Sequence, residues 1–465
     1  MRSMIRAGMN VARINFSHGT HETHRANIEA LRAVAEEESA VIAILCDIQG
    51  PKIRIGTIAK EPLELAPGDQ ITFTLDKTAT GKDNIVALPH PEFMRDINSG
   101  VNLLLDDGNI ELFVEETTGK DLICRVIIGG ALKSRKGVSA PNARLTLSAL
   151  TDKDREDIDF ALKLDTDYIA MSFVRNADDI RELRWLMKHL GKDAGVIAKI
   201  EMAEALTNIE SIIQNCDGIM VARGDLGVET PAEKVPYEQK RIIRLCNESS
   251  KPVITATQML ESMRSNPRPT RAEASDVYNA ILDGTDAVML SAESASGDFP
   301  IRAVEMMSTI AEMAEKSIWE RRTGNNMNRF EFRNDTYSTE LIADAISYST
   351  FQISEAIEPK AIVTTTMSGY TTRRVAKERP KTPILCMTPS VSTYRRMALV
   401  WGVYPVLVSE FSTVDEMISV IIRRAYEENL VDRGDTLLII AGVPFGIAGQ
   451  TNLMKVHRVG EAGEI

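Results

Sequence analysis

With 465 residues, 44% of them hydrophobic and 26% charged, the chain is long enough for two or three packed domains and has the composition of an ordinary globular enzyme. Its 66 acidic and 54 basic residues give a net charge of −12, which argues against a nucleic-acid-binding role but leaves local anion sites open. Five scattered cysteines without a C-x-x-C pair read as reduced thiols, and with neither a secretory signal nor a membrane-length apolar run the expectation is a cytoplasmic enzyme.

In chain order, residues 1–52 hold two strands, Val11–Phe16 and Val41–Asp47. The helix between them starts near Thr20 and buries a stripe of Ile28, Leu31 and Val34. From 53 to 147 short alternating runs are broken by Pro67-Gly68-Asp69, Asp107-Gly108 and Gly129-Gly130, the pattern of a small all-β module. Strand–helix alternation resumes at Thr151, where Thr151 to Asp154 resembles a capping box, and a second box runs from Thr270 to Glu273. Strands are expected at Tyr168–Ser172, Val196–Ile200, Gly218–Ala222, Val253–Ala256 and Ala287–Leu290. After the polar stretch Arg321–Asp335 come a helix, Tyr337–Ala356, and strands at Ala361–Thr364, Pro383–Met387, Val403–Leu407, Thr436–Ala441 and Met454–Val459. The expected architecture is α/β: a (β/α)8 TIM-type barrel from 1–52 and 148–318, seven of its strands being present in this chain. A β-barrel lid at 53–147 interrupts it, and an open α/β sheet fills 319–465.

Four barrel strands end on Lys199-Ile-Glu201, Arg223-Gly-Asp225, Thr257-Gln258 and Ser291-Ala-Glu293. Lys199, Asp225, Thr257 and Ser291 are 26, 32 and 34 residues apart, the length of a strand–helix–strand unit. Such ends converge on one face of a barrel, where active sites lie. One ammonium, three carboxylates and two hydroxyls there imply a divalent cation with a phosphorylated or enolic substrate. Taken singly, Lys199-Ile-Glu201 reads as a surface ion pair and Arg223-Gly-Asp225 as a turn; the common spacing gives them weight. His18, His21 and His24 read as a solvated helix start rather than a zinc site, and Cys46 as core rather than nucleophile.

The segments Asn10-Val-Ala-Arg-Ile-Asn-Phe-Ser-His-Gly19, Gly50-Pro-Lys-Ile-Arg54, Lys199-Ile-Glu201, Asp217 to Gly227, Ala256 to Ser262, Pro267 to Glu273 and Met289 to Glu293 together resemble the pyruvate kinase family, in order and over essentially the whole chain. The resemblance implies transfer of phosphate from phosphoenolpyruvate to ADP, giving pyruvate and ATP in glycolysis. It implies Mg²⁺, with Mn²⁺ as a substitute, on Glu201 and Asp225, and Lys199 on the phosphoryl oxygens. Arg13 and Arg54 would grip phosphates, with Asn15 and His18 also on the nucleotide. Gly224, Asp225 and Thr257 would seat the substrate, with Ser291 and Glu293 behind Thr257 in proton delivery, and Asp107 would act on the closing lid.

Lys52 stands where K⁺-dependent members carry glutamate, beside a site matching Asn15, Ser17, Asp47 and Ile48, so the resemblance implies that a tethered ammonium replaces K⁺. The family also has an earlier strand, so we expect a native chain that continues upstream. Thr364, Thr366, Ser368, Gly369 and Thr371 open a C-terminal helix as an expected site for a phosphorylated effector, a sugar phosphate or AMP, with the Gly442–Gly449 loop closing over it. A homotetramer is the family expectation. The readings set against this one are a Mg²⁺-dependent aldolase or lyase on a related barrel and a non-catalytic, effector-binding subunit.

Overall fold

The structure, a computed structural model, describes the chain except residues 142, 144, 325–338, 446–448 and 461–465. Most of the polar Arg321–Asp335 stretch and the middle of the Gly442–Gly449 loop therefore lie outside the described residues.

Seven parallel strands form one curled sheet in the order Val11–Asn15, Ala43–Asp47, Tyr168–Met171, Gly195–Ile200, Gly218–Ala222, Val253–Ala256 and Ala287–Val288. Among the described residues the first and last pair on one side only, so they are the sheet's edges. The strands are apolar throughout because both faces are covered. Ala43, Leu45, Tyr168, Ala170, Ile197, Met220 and Ile254 fill the concave interior, while Ile44, Cys46, Ile169, Met171, Val196 and Ala198 pack against the outer helices. Both expected capping boxes form, at Thr151–Asp154 and Thr270–Glu273. Two expectations change. Val34 is only partly buried and Ala35 takes its place in the stripe, because on a 3.6-residue turn four residues, not three, separate Leu31 from the next inward position. The last barrel strand is two residues long rather than four; the Met289 N–H still reaches Thr255 O at 3.1 Å, and the Ser291 N–H turns to Glu293 at 2.7 Å.

The inserted module is a six-stranded sheet plus a two-stranded pair, Leu63–Leu65 with Gly130–Leu132. It closes around its own core of Phe73, Phe93, Leu103, Leu105 and Leu112. Its two ends are held together by a bridge between Arg54 and Gly137. The C-terminal region is a five-stranded sheet whose last strand, Leu453–Arg458, runs antiparallel. Its Met397–Leu399 turn reaches the barrel: Leu399 belongs to the interior cluster of the strands, and the Tyr168 hydroxyl donates to Arg396 O at 2.9 Å. The C-terminal domain thus plugs the end of the barrel opposite the functional strand ends. No described helix is long and apolar enough to cross a membrane.

Candidate active site

Strand register brings the rim together. Asn15 lies beside Asp47, and Lys199 ends the neighbouring part of the sheet. The Lys199 ammonium is buried and sits 2.8 Å from Glu201, 3.1 Å from Asp47 and 2.7 Å from Ser172 Oγ. Asp47 also takes Arg13, with Nε at 2.7 Å and the terminal nitrogen at 2.6 Å. Burial opposes the charge on Lys199, but Asp47 and Glu201 outweigh it and raise its pKa, so the group stays an ammonium. Glu201 is pushed up by burial and by the nearby Asp225 charge, with Lys199 only partly offsetting them. Its second oxygen accepts the Phe173 N–H at 2.8 Å.

Asp225 opens the short helix Arg223–Glu229, and its carboxylate lies 3.8 Å from the Lys52 ammonium. Lys52, Glu201, Asp225 and the lid residue Asp107 line one cleft between barrel and lid. The backbone around it is conformationally unusual: Phe173 and Thr257 have φ of 55° and 68°. Positive φ is strained for a β-branched threonine and has to be held by surrounding contacts. Here Arg223 holds it, donating to Thr257 O at 2.8 Å while pairing with Asp276 at 2.7 Å.

Several expected residues sit differently from their assigned roles. The Gly224 N–H is not open to a substrate carboxylate here; it donates to Thr257 Oγ1 at 3.1 Å. Glu293 is completely buried and spends both oxygens on backbone, Leu260 N at 3.2 Å and Ser291 N at 2.7 Å, so it shapes the rim without facing the cleft. Arg54 is exposed and turned to the lid, with Nη1 on Arg135 O at 2.8 Å. Lys52 pairs with Asp225, whereas Asp47 is taken by Arg13 and Lys199, Asn15 Oδ1 by Ser17 N, and Ile48 O by Ser172. His18 is exposed, and His21 bonds Asp157 at 2.7 Å and stacks on Phe160. Among the described residues no three His, Cys, Asp or Glu side chains form a metal cluster. Cys46 is buried, and burial pushes its thiol up to about 12, as core packing requires. In the C-terminal domain, Thr364 and Thr371 are corrections. Both are buried, with hydroxyls on Thr372 at 2.8 Å and Thr451 at 2.9 Å, because Thr364 is still strand and Thr371 already faces inward from the helix. Thr366 accepts the Gly369 N–H at 3.0 Å and Ser368 is exposed.

Sequence reasoning missed Ser172, Arg223 and Glu229. Glu229 is buried at the cleft and hydrogen-bonded to Ser139 of the lid. Burial, and then the Asp225 charge, push its carboxyl up to about 7. The one available signal was position: Arg223 stands within the Arg223-Gly-Asp225 strand end, Glu229 lies one helical turn beyond Asp225, and Ser172 ends the expected Tyr168–Ser172 strand.

A barrel with an ammonium, carboxylates and arginine gathered at the strand ends, under a β lid, defines an enzyme of phosphoryl transfer. Residues 1–304 match the family model for the pyruvate kinase barrel domain, and residues 344–457 that for the pyruvate kinase alpha/beta domain. The pyruvate kinase of Clostridium perfringens is 44% identical over 460 residues, covering 99% of this chain and 96% of that one. The pyruvate kinase of Sporosarcina psychrophila is 44% identical, covering 99% and 78%, and pyruvate kinase 2 of Synechocystis 45%, covering 99% and 76%. The chain belongs to the pyruvate kinase family. It is a phosphotransferase of glycolysis whose substrates are phosphoenolpyruvate and ADP, and neither the aldolase or lyase reading nor the non-catalytic one is favoured.

Proposed function

We propose that Glu201 and Asp225 hold the Mg²⁺ this family uses, with the remaining positions left to substrate oxygens and water. The observation that carries this is the buried Glu201, whose charge a single ammonium compensates only in part, lining one cleft with Asp225. An all-oxygen pair that leaves most coordination positions to substrate suits this hard cation. When bound, Mg²⁺ would neutralise charge on the phosphoryl and carboxylate or enolate oxygens.

Lys199, held charged by Asp47 and Glu201, stabilises the charge spreading over the transferring phosphoryl group. Arg13, fixed by Asp47, offers its remaining donors to phosphate, and Arg54 joins it when the lid closes. Asn15 and His18 border the nucleotide. Thr257 and Gly224 exchange their mutual bond for the substrate carboxylate, and Thr257 and Ser291 lie on the proton path to the enolate carbon. Asp107 comes down with the lid, excluding water that would hydrolyse the phosphoryl group.

Lys52 supplies the monovalent charge, so activity needs Mg²⁺ and not K⁺. A lactate-dehydrogenase-coupled assay with phosphoenolpyruvate, ADP and Mg²⁺, with tetramethylammonium as the sole monovalent cation, tests both points. Full turnover is expected, and strong dependence on added K⁺ would refute the lysine's role. The Thr366–Gly369 loop takes a phosphorylated effector, a sugar phosphate or AMP, and the working form is a cytoplasmic homotetramer.

A further inference from the structure

The chain leaves the Val253–Ala256 strand through two consecutive non-glycine residues in the left-handed region, Thr257 at φ 68° and Gln258 at φ 56°. Both flanks are anchored. Ala256 is fully buried at the strand end, and Met259 and Leu260 are fully buried in one cluster with Val277 and Ala280. A β-branched residue at positive φ relaxes unless its surroundings fix it.

Two contacts hold Thr257. Its hydroxyl accepts the Gly224 N–H at 3.1 Å, the bond it gives up on taking substrate. Its carbonyl accepts Arg223 Nη2 at 2.8 Å, a main-chain contact that the chemistry at the hydroxyl does not disturb. Arg223 is fixed in turn, with Nη1 donating to Asp276 at 2.7 Å and to the buried Gln239 at 3.3 Å. Asp276 lies on helix Arg271–Leu282, and three residues earlier Glu273 accepts the Ser262 N–H at 2.7 Å and the Ser262 hydroxyl at 2.5 Å. One face of that helix thus grips both ends of the Thr257–Ser262 segment, directly at Ser262 and through Arg223 at Thr257.

We infer that Arg223 and Asp276 are positioning residues that fix the Thr257 hydroxyl relative to the enolate carbon, an assignment that rests on the place proposed for Thr257 on the proton path. While the hydroxyl changes partner from Gly224 to substrate, the guanidinium keeps the backbone in place. Without it, the freed carbonyl lets Thr257 return to negative φ and swings the hydroxyl away, and a displacement of about 1 Å can cost ~10²-fold in rate. Phosphoryl transfer suffers less, because Lys199 and Glu201 are anchored separately by Asp47, Ser172 and the Phe173 N–H.

The reverse proton step tests this. In D2O with Mg²⁺ and ATP, the enzyme removes a methyl proton from pyruvate, leaving the electron pair in the enolate, and a solvent deuteron returns; NMR follows the loss of the methyl signal. Forward phosphoryl transfer is read separately as ATP formed from phosphoenolpyruvate and ADP. In Arg223→Lys and Asp276→Asn the exchange should fall about tenfold further than ATP formation, the value of one charge-assisted bond. The solvent deuterium isotope effect on pyruvate formation should rise as proton transfer becomes limiting. Should Arg223→Lys not fold, Asp276→Asn decides, since that carboxylate is partly exposed. A parallel loss of both rates with an unchanged isotope effect would leave a merely structural role and overturn the inference. Thr257→Val separates the clamp from the reading beneath it. If its ratio of exchange to ATP formation stays at the wild-type value, the hydroxyl is off the proton path and both ideas fall; if that ratio drops while the clamp variants keep it, the clamp alone is refuted.

Discussion

Replacing Lys199 with methionine keeps the length of the side chain and removes its charge. The ammonium has contacts at 2.7, 2.8 and 3.1 Å, but its partners do not lose equally. Asp47 keeps Arg13 at 2.6 Å, and Ser172 keeps the Ile48 carbonyl at 2.7 Å. Glu201 keeps only the Phe173 N–H, so the cost falls on one buried carboxylate. Removing one partner of a buried pair costs about 3 kcal/mol, and at roughly 2–4 °C per kcal/mol for a unit of this size the barrel's midpoint should drop by about 6–12 °C in metal-free buffer. Mg²⁺ restores part of that loss if it sits on Glu201, so the metal should stabilise Lys199→Met more than wild type. Turnover should fall by ~10²–10³ with a much smaller change in the KM for phosphoenolpyruvate, because the lost interaction strengthens in the transition state. Calorimetry with and without Mg²⁺, beside steady-state kinetics, reads all three quantities. A variant with turnover within tenfold of wild type, or with an unchanged response to Mg²⁺, refutes the reasoning.

Lys52→Glu should create a K⁺ requirement, seen as at least a tenfold rise in rate on replacing tetramethylammonium with K⁺; an unchanged cation response would remove Lys52 from that role. Glu229, with its carboxyl raised to about 7, favours folding in its protonated form, so its contribution is complete below the ordinary carboxylate range and is lost as pH rises through about 7. Metal-free denaturation curves of Glu229→Gln should therefore match wild type at pH 4.5 and exceed it at pH 8; parallel curves would show that Glu229 does not titrate there. Gly369 has φ of 77°, and a Cβ there would lie 2.5 Å from Met397 Cε. Gly369→Ala should cost about 1–3 kcal/mol in urea unfolding of the C-terminal domain, and a variant as stable as wild type would show that the loop relaxes freely.

The barrel was legible because its signal is local. Each strand is an apolar run, each ends on charge or hydroxyl, and the unit length repeats. The lid and the five C-terminal strands were legible for the same reason. What periodicity does not carry is which partner a rim group chooses. Asp47 looks in sequence like one more acidic strand end, yet the parallel register sets it between Arg13 and Lys199 and makes it the hub of the charge network. Glu293 carries the same kind of strand-end signature as Asp225, but its short helix turns it inward onto two N–H groups. Ser139 and Glu229, 90 residues apart, meet only because the lid folds back over the cleft.

The same contrast explains how the two ends of the barrel differ. At the mouth the contacts among the described residues are polar: hydrogen bonds from Ser139 to Glu229 and from Arg175 to Leu145 O at 3.1 Å, and an ion pair from Lys52 to Asp225, join the two sides of the cleft. Contacts of that kind cost little to open, as a lid that admits substrate requires. At the floor Leu399 is packed among strand residues that fill the barrel interior, and Arg379, stacked on Trp401, ties the C-terminal domain to Asp286. Close-packed interiors transmit displacement rather than absorb it. The lid can therefore move without the C-terminal domain, but the C-terminal domain cannot shift against the barrel without repacking the layer beneath Lys199 and Asp47.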